Sequence, residues 1–375
     1  MKIAIDIRPL MSGKISGVEV YILSMLEAIF EADQENEYIV WYNAYHPIDT
    51  STFPIHYPNV KLVHTRIPSR LYNLLISFLR WPKIDKLIGE KVDVLWVTDP
   101  RPAPVSKACK KVTTFHDLSF EDFKHSFSFK TRLWHKILRP KKEALESDKI
   151  IAVSQFTKHQ LVQEYGVSED KIEVILEAAS PKLKPLDLPK GFELIQRKYN
   201  IPNEYFLCLS TLEPRKNTVG VIETYIEWQR ETNAEVNLVV AGKRYPEIFS
   251  SLKLTTHPKI FFPGFIDEED KALLYQHCQG FFFPSFYEGF GLPILEAMQC
   301  GAPVVTSDAT SMPEVAGDAA ILINPNESGE LKKAMHDIHR DEVLRHMLIE
   351  KGLKQAAKFS WGKAASEFLS LIKHM

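Results

Sequence analysis

Short apolar runs alternate with longer amphipathic stretches along the whole chain. Residues 3–7, 39–42, 61–64, 94–97, 112–115 and 150–153 read as strands of a first sheet. Between them, helices are expected at about 18–30, 71–88, 130–146 and 155–165. A second series of strands follows at 206–209, 238–241, 260–262, 280–283, 304–306 and 320–323. Strands that alternate with helices imply right-handed crossovers and parallel sheets. The predicted fold class is therefore α/β, with two Rossmann-like domains.

The break between the two series is expected at SPKLKPLDLPK, residues 180–190. Its three prolines lack amide donors, and interleaved lysines make it a poor strand and a poor helix. Beyond about Asn324 the strands stop and the pattern is helical to the end. A terminal helix near 360–372 carries Trp361, Phe368, Leu369 and Ile372 at roughly helical spacing. The predicted domains are 1–183 and 184–358, with a last helix at 359–375.

Composition narrows this picture. A chain of 375 residues is too long for one ordinary core, which agrees with two domains. Hydrophobic content of 45% and charged content of 25% are those of a soluble globular protein. The formal net charge is −2, so no global field points to a nucleic-acid partner. No apolar run approaches the roughly 20 residues needed to span a bilayer. Asp6 and Arg8 interrupt what would be the apolar region of a signal peptide. Cys109, Cys208, Cys278 and Cys300 lack metal-type spacing and fit core positions in a reducing compartment. A cytoplasmic location is expected.

The most informative stretch is FFFPSFYEGFGLPILEAM, residues 281–298. The run Phe281–Phe283 reads as a central parallel strand covered on both faces. Gly289 and Gly291 let backbone approach a ligand closely, and Pro293 suits an opening helical position. Free amides and the helix dipole then favour an anion such as a diphosphate. Glu288 and Glu296 flank this cradle, and acidic residues there require a ligand that also offers hydroxyls. A sugar nucleotide offers both. An ionised carboxylate accepts through two oxygens, so Glu296 suits a ribose cis-diol.

This E-x7-E pattern with GFGLP between resembles the signature of the family-four retaining glycosyltransferases. The resemblance implies the GT-B architecture, with parallel sheets facing an interdomain cleft and the last helix crossing back to the first domain. It implies donor-sugar contact by Glu288 and ribose binding by Glu296. It also implies backbone contacts from Gly289, Phe290, Gly291 and Leu292.

FLCLSTLEPRKN, residues 206–217, ends a strand in a loop with Arg215 and Lys216, which suit a diphosphate. This loop resembles the phosphate-binding loop of the same family, with Lys216 matching its lysine. The family often has Gly-Arg where this chain has Ser210–Thr211, and Arg215 is then the substitute cation. Gly13 and Gly17 follow the first strand, and Gly17 matches a family glycine near the donor. His116 ends the strand of VTTFHDL, where it either meets a ligand and moves a proton or caps the strand. Phe265, in FPGFID, is placed either against the nucleobase or in the core. Ser154 is expected to cap the helix that follows it.

No Asp-x-Asp occurs, so the phosphate charge is expected to be met by Lys216, Arg215 and a helix N-terminus, without a metal or other cofactor. Residues 66–81 and 124–142 are basic and amphipathic, which suits either an anionic membrane surface or ordinary core packing. The implied function is retaining transfer of a hexose from GDP-mannose or a UDP-hexose to a saccharide or lipid-linked acceptor. Catalytic roles are expected for Glu288, His116 and Lys216. The alternatives are a catalytically silent nucleotide-sugar-binding subunit and a sugar-nucleotide epimerase.

Overall fold

The computed structural model describes residues 1–12, 17–48, 53–123, 127–186, 191–243, 245 and 252–375. Gly13, Lys124 and part of the expected break, residues 187–190, lie outside the described residues. The chain divides into two compact units. The first comprises Met1–Leu118, Leu133–Glu177 and Ser360–Met375, and the second Ser119–Arg132 and Ala178–Phe359.

Among the described residues the first unit holds a seven-stranded parallel sheet. Its strands are β1 (Lys2–Asp6), β2 (Glu37–Asn43), β3 (Val60–Thr65), β4 (Val94–Val97), β5 (Lys110–Phe115), β6 (Lys149–Ala152) and β7 (Ile172–Val174). They lie in the order β3-β2-β1-β4-β5-β6-β7, so the winding reverses between β1 and β4. Ala4, Ile39, Leu95 and Val97 pack on one face with Tyr72, Ile76 and Ile84. On the other face the indole of Trp96 meets Phe368 at 4.6 Å and Tyr21 meets Trp361 at 5.8 Å, ring centre to ring centre. Those contacts place the terminal helix Trp361–Lys373 against the helix Gly17–Ala32. The Ser360 hydroxyl caps the terminal helix at the Lys363 amide, and Ser154 caps Gln155–Tyr165 in the same way at Thr157.

The second unit holds a six-stranded parallel sheet in the order β10-β9-β8-β11-β12-β13. Its strands are β8 (Tyr205–Leu209), β9 (Asn237–Ala241), β10 (Ile260–Gly264), β11 (Gly280–Phe283), β12 (Val304–Ser307) and β13 (Ala320–Ile323). Every residue of β8 and of β11 is buried, as apolar runs covered on both faces must be. Here the winding reverses between β8 and β11, which makes their carboxyl ends the natural ligand crevice of this sheet.

Three expectations need correction. The helix expected over 71–88 is broken into Ser69–Leu74, a wider turn at Leu75–Leu79 and a short helix Ile84–Leu87. Arg80 is left-handed between them, and Pro82 has no amide to continue the ladder. The helix expected over 130–146 splits into Phe129–Leu138 and Pro140–Glu146. Arg139, which precedes a proline, is driven out of the right-handed helical region. Strand β7 was not expected, since three residues of the sequence IEV carry too little pattern to register.

Candidate functional site

The site grows out of the two strands at the winding reversal of the second sheet. After β8 the chain runs through Glu213 into a tight turn, Pro214–Lys216, and Asn217 takes a left-handed conformation (φ 55°) before the helix Thr218–Thr232. The loop is held against its neighbour by Ser210 N–H to Ala241 O (3.1 Å) and Leu212 N–H to Lys243 O (3.1 Å). Gly242 makes this approach possible. Its φ is +141°, and a Cβ there would lie 1.7 Å from the Ser210 carbonyl oxygen.

After β11 the chain turns through Glu288 to the helix Leu292–Gln299, with Gly291 at its N-cap in a conformation (φ 107°) that side chains avoid. The two loops are tied together by the Phe286 amide donating to the Arg215 carbonyl at 2.8 Å. Lys216 Nζ donates to Glu288 Oε1 at 2.5 Å, and Arg215 Nη1 donates to Glu288 Oε2 and to the Tyr287 carbonyl, both at 3.0 Å. Arg215 also pairs with Glu213 at 2.9 Å. Burial alone would raise the Glu288 pKa, yet the charges of Lys216 and Arg215 outweigh it and hold the carboxyl below its ordinary 4.5. Lys216 further lies over the Phe283 ring, 5.1 Å from its centre.

The backbone around Glu288 is fixed from β12's side. The Glu288 amide donates to Thr310 Oγ1 at 3.1 Å, and the Ser311 hydroxyl bonds the carbonyls of Glu288 (3.0 Å) and Phe290 (2.8 Å). Thr310 adopts a left-handed conformation (φ 58°) to do this. Phe290 is buried with its ring edge-on to Phe359. Thr310 and Ser311 were not singled out as site residues, because nothing in SDATSMPE reveals which hydroxyl reaches back across the sheet.

Glu296 belongs to a second hydrogen-bonded group in the same unit. The buried Tyr275 hydroxyl donates to its Oε2 at 3.0 Å, and Lys271 Nζ stands 3.7 Å from the same oxygen. Among the described residues no donor reaches Glu296 Oε1. Lys271 and Tyr275 are one helical turn apart on Lys271–Gln276, so both reach the same carboxylate. Burial raises the Tyr275 pKa far above its ordinary value and the Glu296 charge adds to this, which keeps the phenol a donor. Burial lowers the Lys271 pKa, but Glu296 and Glu268 more than reverse it. Sequence reading missed both residues, although their i, i+4 spacing was a visible signal. Phe265, in the loop after β10, is 47% exposed and so is not a core residue.

His116 sits in the first unit, just beyond β5. Its Nε2 faces the Thr98 carbonyl at 2.9 Å and its Nδ1 faces Glu177 Oε1 at 3.1 Å. Both partners are acceptors, so both ring nitrogens carry protons and the ring is an imidazolium. Burial would lower its pKa, but Glu177 and the Thr98 carbonyl raise it above 6.5. Gly17 is the first residue of the helix Gly17–Ala32.

Two family models match the chain. Residues 15–178 match that described as Glycosyltransferase Family 4, and residues 192–355 match that described as Glycosyl transferases group 1. The chain is 34% identical over 270 residues to O-antigen chain mannosyltransferase B of Escherichia coli, covering 70% of each protein. It is 33% identical over 226 residues to the serotype-specific mannosyltransferase WbdA of Escherichia coli, which covers 58% of this chain and 28% of that much longer protein. Among solved structures, Anabaena HepE in complex with UDP and glucose aligns over the full length of both chains with a TM-score of 0.73 and 17% identity. WaaG, a glycosyltransferase involved in lipopolysaccharide biosynthesis, aligns over 99% of each with a TM-score of 0.70 and 13% identity. The fold is that of the GT-B glycosyltransferases.

Proposed function

The chain belongs to the glycosyltransferases of family 4, and from that premise we propose that it moves a mannosyl group from GDP-mannose to a saccharide or lipid-linked hydroxyl with retained configuration. The observation that carries this reading is the Lys216–Arg215–Glu288 cluster at the winding reversal of the second sheet. Two cations there are balanced by two carboxylates, Glu213 and Glu288. An incoming diphosphate brings its own negative charge and competes with Glu288 for Lys216. The lysine then turns from carboxylate to phosphate, which leaves Glu288 facing the donor sugar.

In this mechanism the bond between the sugar C1 and the β-phosphate oxygen breaks, and the oxygen departs with the electron pair. Lys216, Arg215 and the amides preceding Leu292–Gln299 stabilise that departing charge. Glu288 offsets the positive charge developing on the sugar. The acceptor oxygen bonds C1 on the face being vacated, and its proton passes to the leaving phosphate oxygen. Glu296 holds the ribose hydroxyls through its open oxygen. The protein cations occupy the place where other transferases use a metal, so the proposed reaction is metal-independent and proceeds on the cytoplasmic side, where sugar nucleotides are made.

Mannose is favoured by the names of the relatives, whereas the ligands printed for HepE favour a UDP-hexose as second reading. Melting in the presence of a panel of sugar nucleotides with a chelator present separates them, since a ligand bound only to the native state raises the Tm. GDP-mannose should give the largest rise. A rise with UDP-glucose alone would move the assignment to the second reading, and no rise with any would leave the mechanism without a donor. Turnover unchanged in both Lys216→Ala and Glu288→Ala would favour the silent-subunit alternative.

A further inference from the structure

Between β3 and β4 the first unit carries a row of large apolar side chains that the fold does not cover. The turns Ser69–Leu74 and Leu75–Leu79 bury Tyr72, Ile76 and Ser77 against the sheet. Their opposite side turns Leu71, Leu74, Phe78 and Leu79 outward, and Trp81 follows. Phe78 is 59% exposed, Leu79 68% and Trp81 62%, values that exclude core packing for these residues. The spacing of Leu71, Leu74 and Phe78 keeps them on one side of the helical turns.

The charge around this ledge has one sign. From Lys61 to Ile84 the sequence has five cations, at Lys61, Arg66, Arg70, Arg80 and Lys83, and no carboxylate. Two of them are held internally, Lys61 by Glu90 and Arg80 by Glu143 and Glu146. Among the described residues Arg66 and Lys83, which bracket the ledge, have no carboxylate partner.

We infer that this ledge is a docking surface for the interfacial zone of an anionic lipid bilayer. Leu, Phe and Trp on one side with flanking cations is the composition that lies in a headgroup layer. Five side chains present a patch of a few hundred Å² at most. That is short of the roughly 800 Å² that each partner gives to a stable protein interface, which disfavours a second copy of this chain. Insertion of the apolar side chains supplies most of the binding, and Arg66 and Lys83 add a salt-sensitive part. The inference does not depend on the donor or on the transfer reaction.

The test is co-sedimentation of the full chain with vesicles of phosphatidylcholine alone or mixed with phosphatidylglycerol, at low and high salt. The wild type should bind the anionic vesicles, more weakly at high salt. Phe78→Glu combined with Trp81→Glu should lower the bound fraction about tenfold or more. Both positions are outside the donor cluster, so the melting shift given by the sugar nucleotide should be unchanged and reports that the variant is folded. Absence of binding to either vesicle by the wild type would overturn the proposal. Equal binding by wild type and variant would also overturn it. A concentration-dependent dimer abolished by the same substitutions, without lipid binding, would assign the ledge to a second copy instead.

Discussion

Lys216 and Glu288 stand on loops that follow adjacent strands, β8 and β11, and meet ammonium to carboxylate at 2.5 Å in a buried setting. Such a pair is poised between two partners for the lysine. With no anion present it neutralises Glu288, and with a diphosphate present it has a stronger acceptor. Glu288→Gln removes the competing charge while keeping the shape. Donor KM should therefore hold or fall, while kcat falls about a hundredfold because the charge facing the sugar is lost. Lys216→Met should lower kcat by a similar factor and raise donor KM. Initial rates over a donor series distinguish the two, and a raised KM in Glu288→Gln would refute the competition.

The same pair should set part of the acid sensitivity. The Glu288 carboxyl is held below 4.5 in the folded chain, so its contribution to stability is complete above that value. It is lost as pH falls through the lower folded pKa. Urea unfolding of the second unit should show a steeper loss of stability below about pH 4.5 in the wild type than in Glu288→Gln. Parallel curves would mean that the pair is not coupled to folding.

The fold was legible because period and length suffice for parallel strands. The runs at 94–97, 280–283 and 320–323 coincide with β4, β11 and β13 to the residue. What escaped was local punctuation and long-range polar contact. Pro82 and Pro140 were visible breakers inside stretches whose apolar spacing still looked helical, and the backbone obeyed the prolines. In the site, Lys216 and Glu288 were legible from their neighbours in sequence. Thr310, Ser311 and Tyr275 were not, since each acts on a residue at least 21 positions away.

Tyr275 gives a sharper test of the proposed ribose role of Glu296. Its hydroxyl fixes Oε2 and leaves Oε1 open, so Tyr275 is a positioning residue for the carboxylate. Tyr275→Phe should raise KM for a ribonucleotide donor about tenfold with kcat little changed. Discrimination against the matching 2′-deoxyribose donor should shrink in the same variant. A purely structural tyrosine would lower stability and leave that discrimination untouched, which is the outcome that sinks the assignment.

His116 predicts a pH effect of opposite sign in the first unit. The groups facing it are Glu177, the Thr98 carbonyl, the ring of Tyr21 edge-on at 4.7 Å, and the nearby charge of Asp99. Asp99 is itself paired with Arg101. With its folded pKa raised above 6.5, the imidazolium contributes fully below that value. The contribution is lost as pH rises through the folded pKa, by at most about 1.4 kcal/mol per pH unit for one proton. Hydrogen exchange of β4 and β5 should quicken across that range in the wild type and stay flat in His116→Gln. Flat exchange in both would show that the ring does not hold a second proton.

Gly242 offers a test of how closely the β8 loop must be held. An alanine Cβ would fall 1.7 Å from the Ser210 carbonyl oxygen, so either that carbonyl or residue 242 must move. The movement carries with it the turn that presents Arg215 and Lys216, five and six positions further on. Gly242→Ala should therefore weaken donor binding about tenfold or more, since catalytic placement tolerates little displacement. Backbone strain alone is not enough to explain such a result, and Gly166 controls for it. That glycine is also left-handed (φ +70°), but an alanine methyl there would meet nothing within 4 Å. Gly166→Ala should therefore cost about 1–2 kcal/mol of local stability and no donor affinity. If the two variants lose donor affinity equally, or neither does, the close approach at Ser210 is not what positions the cationic turn.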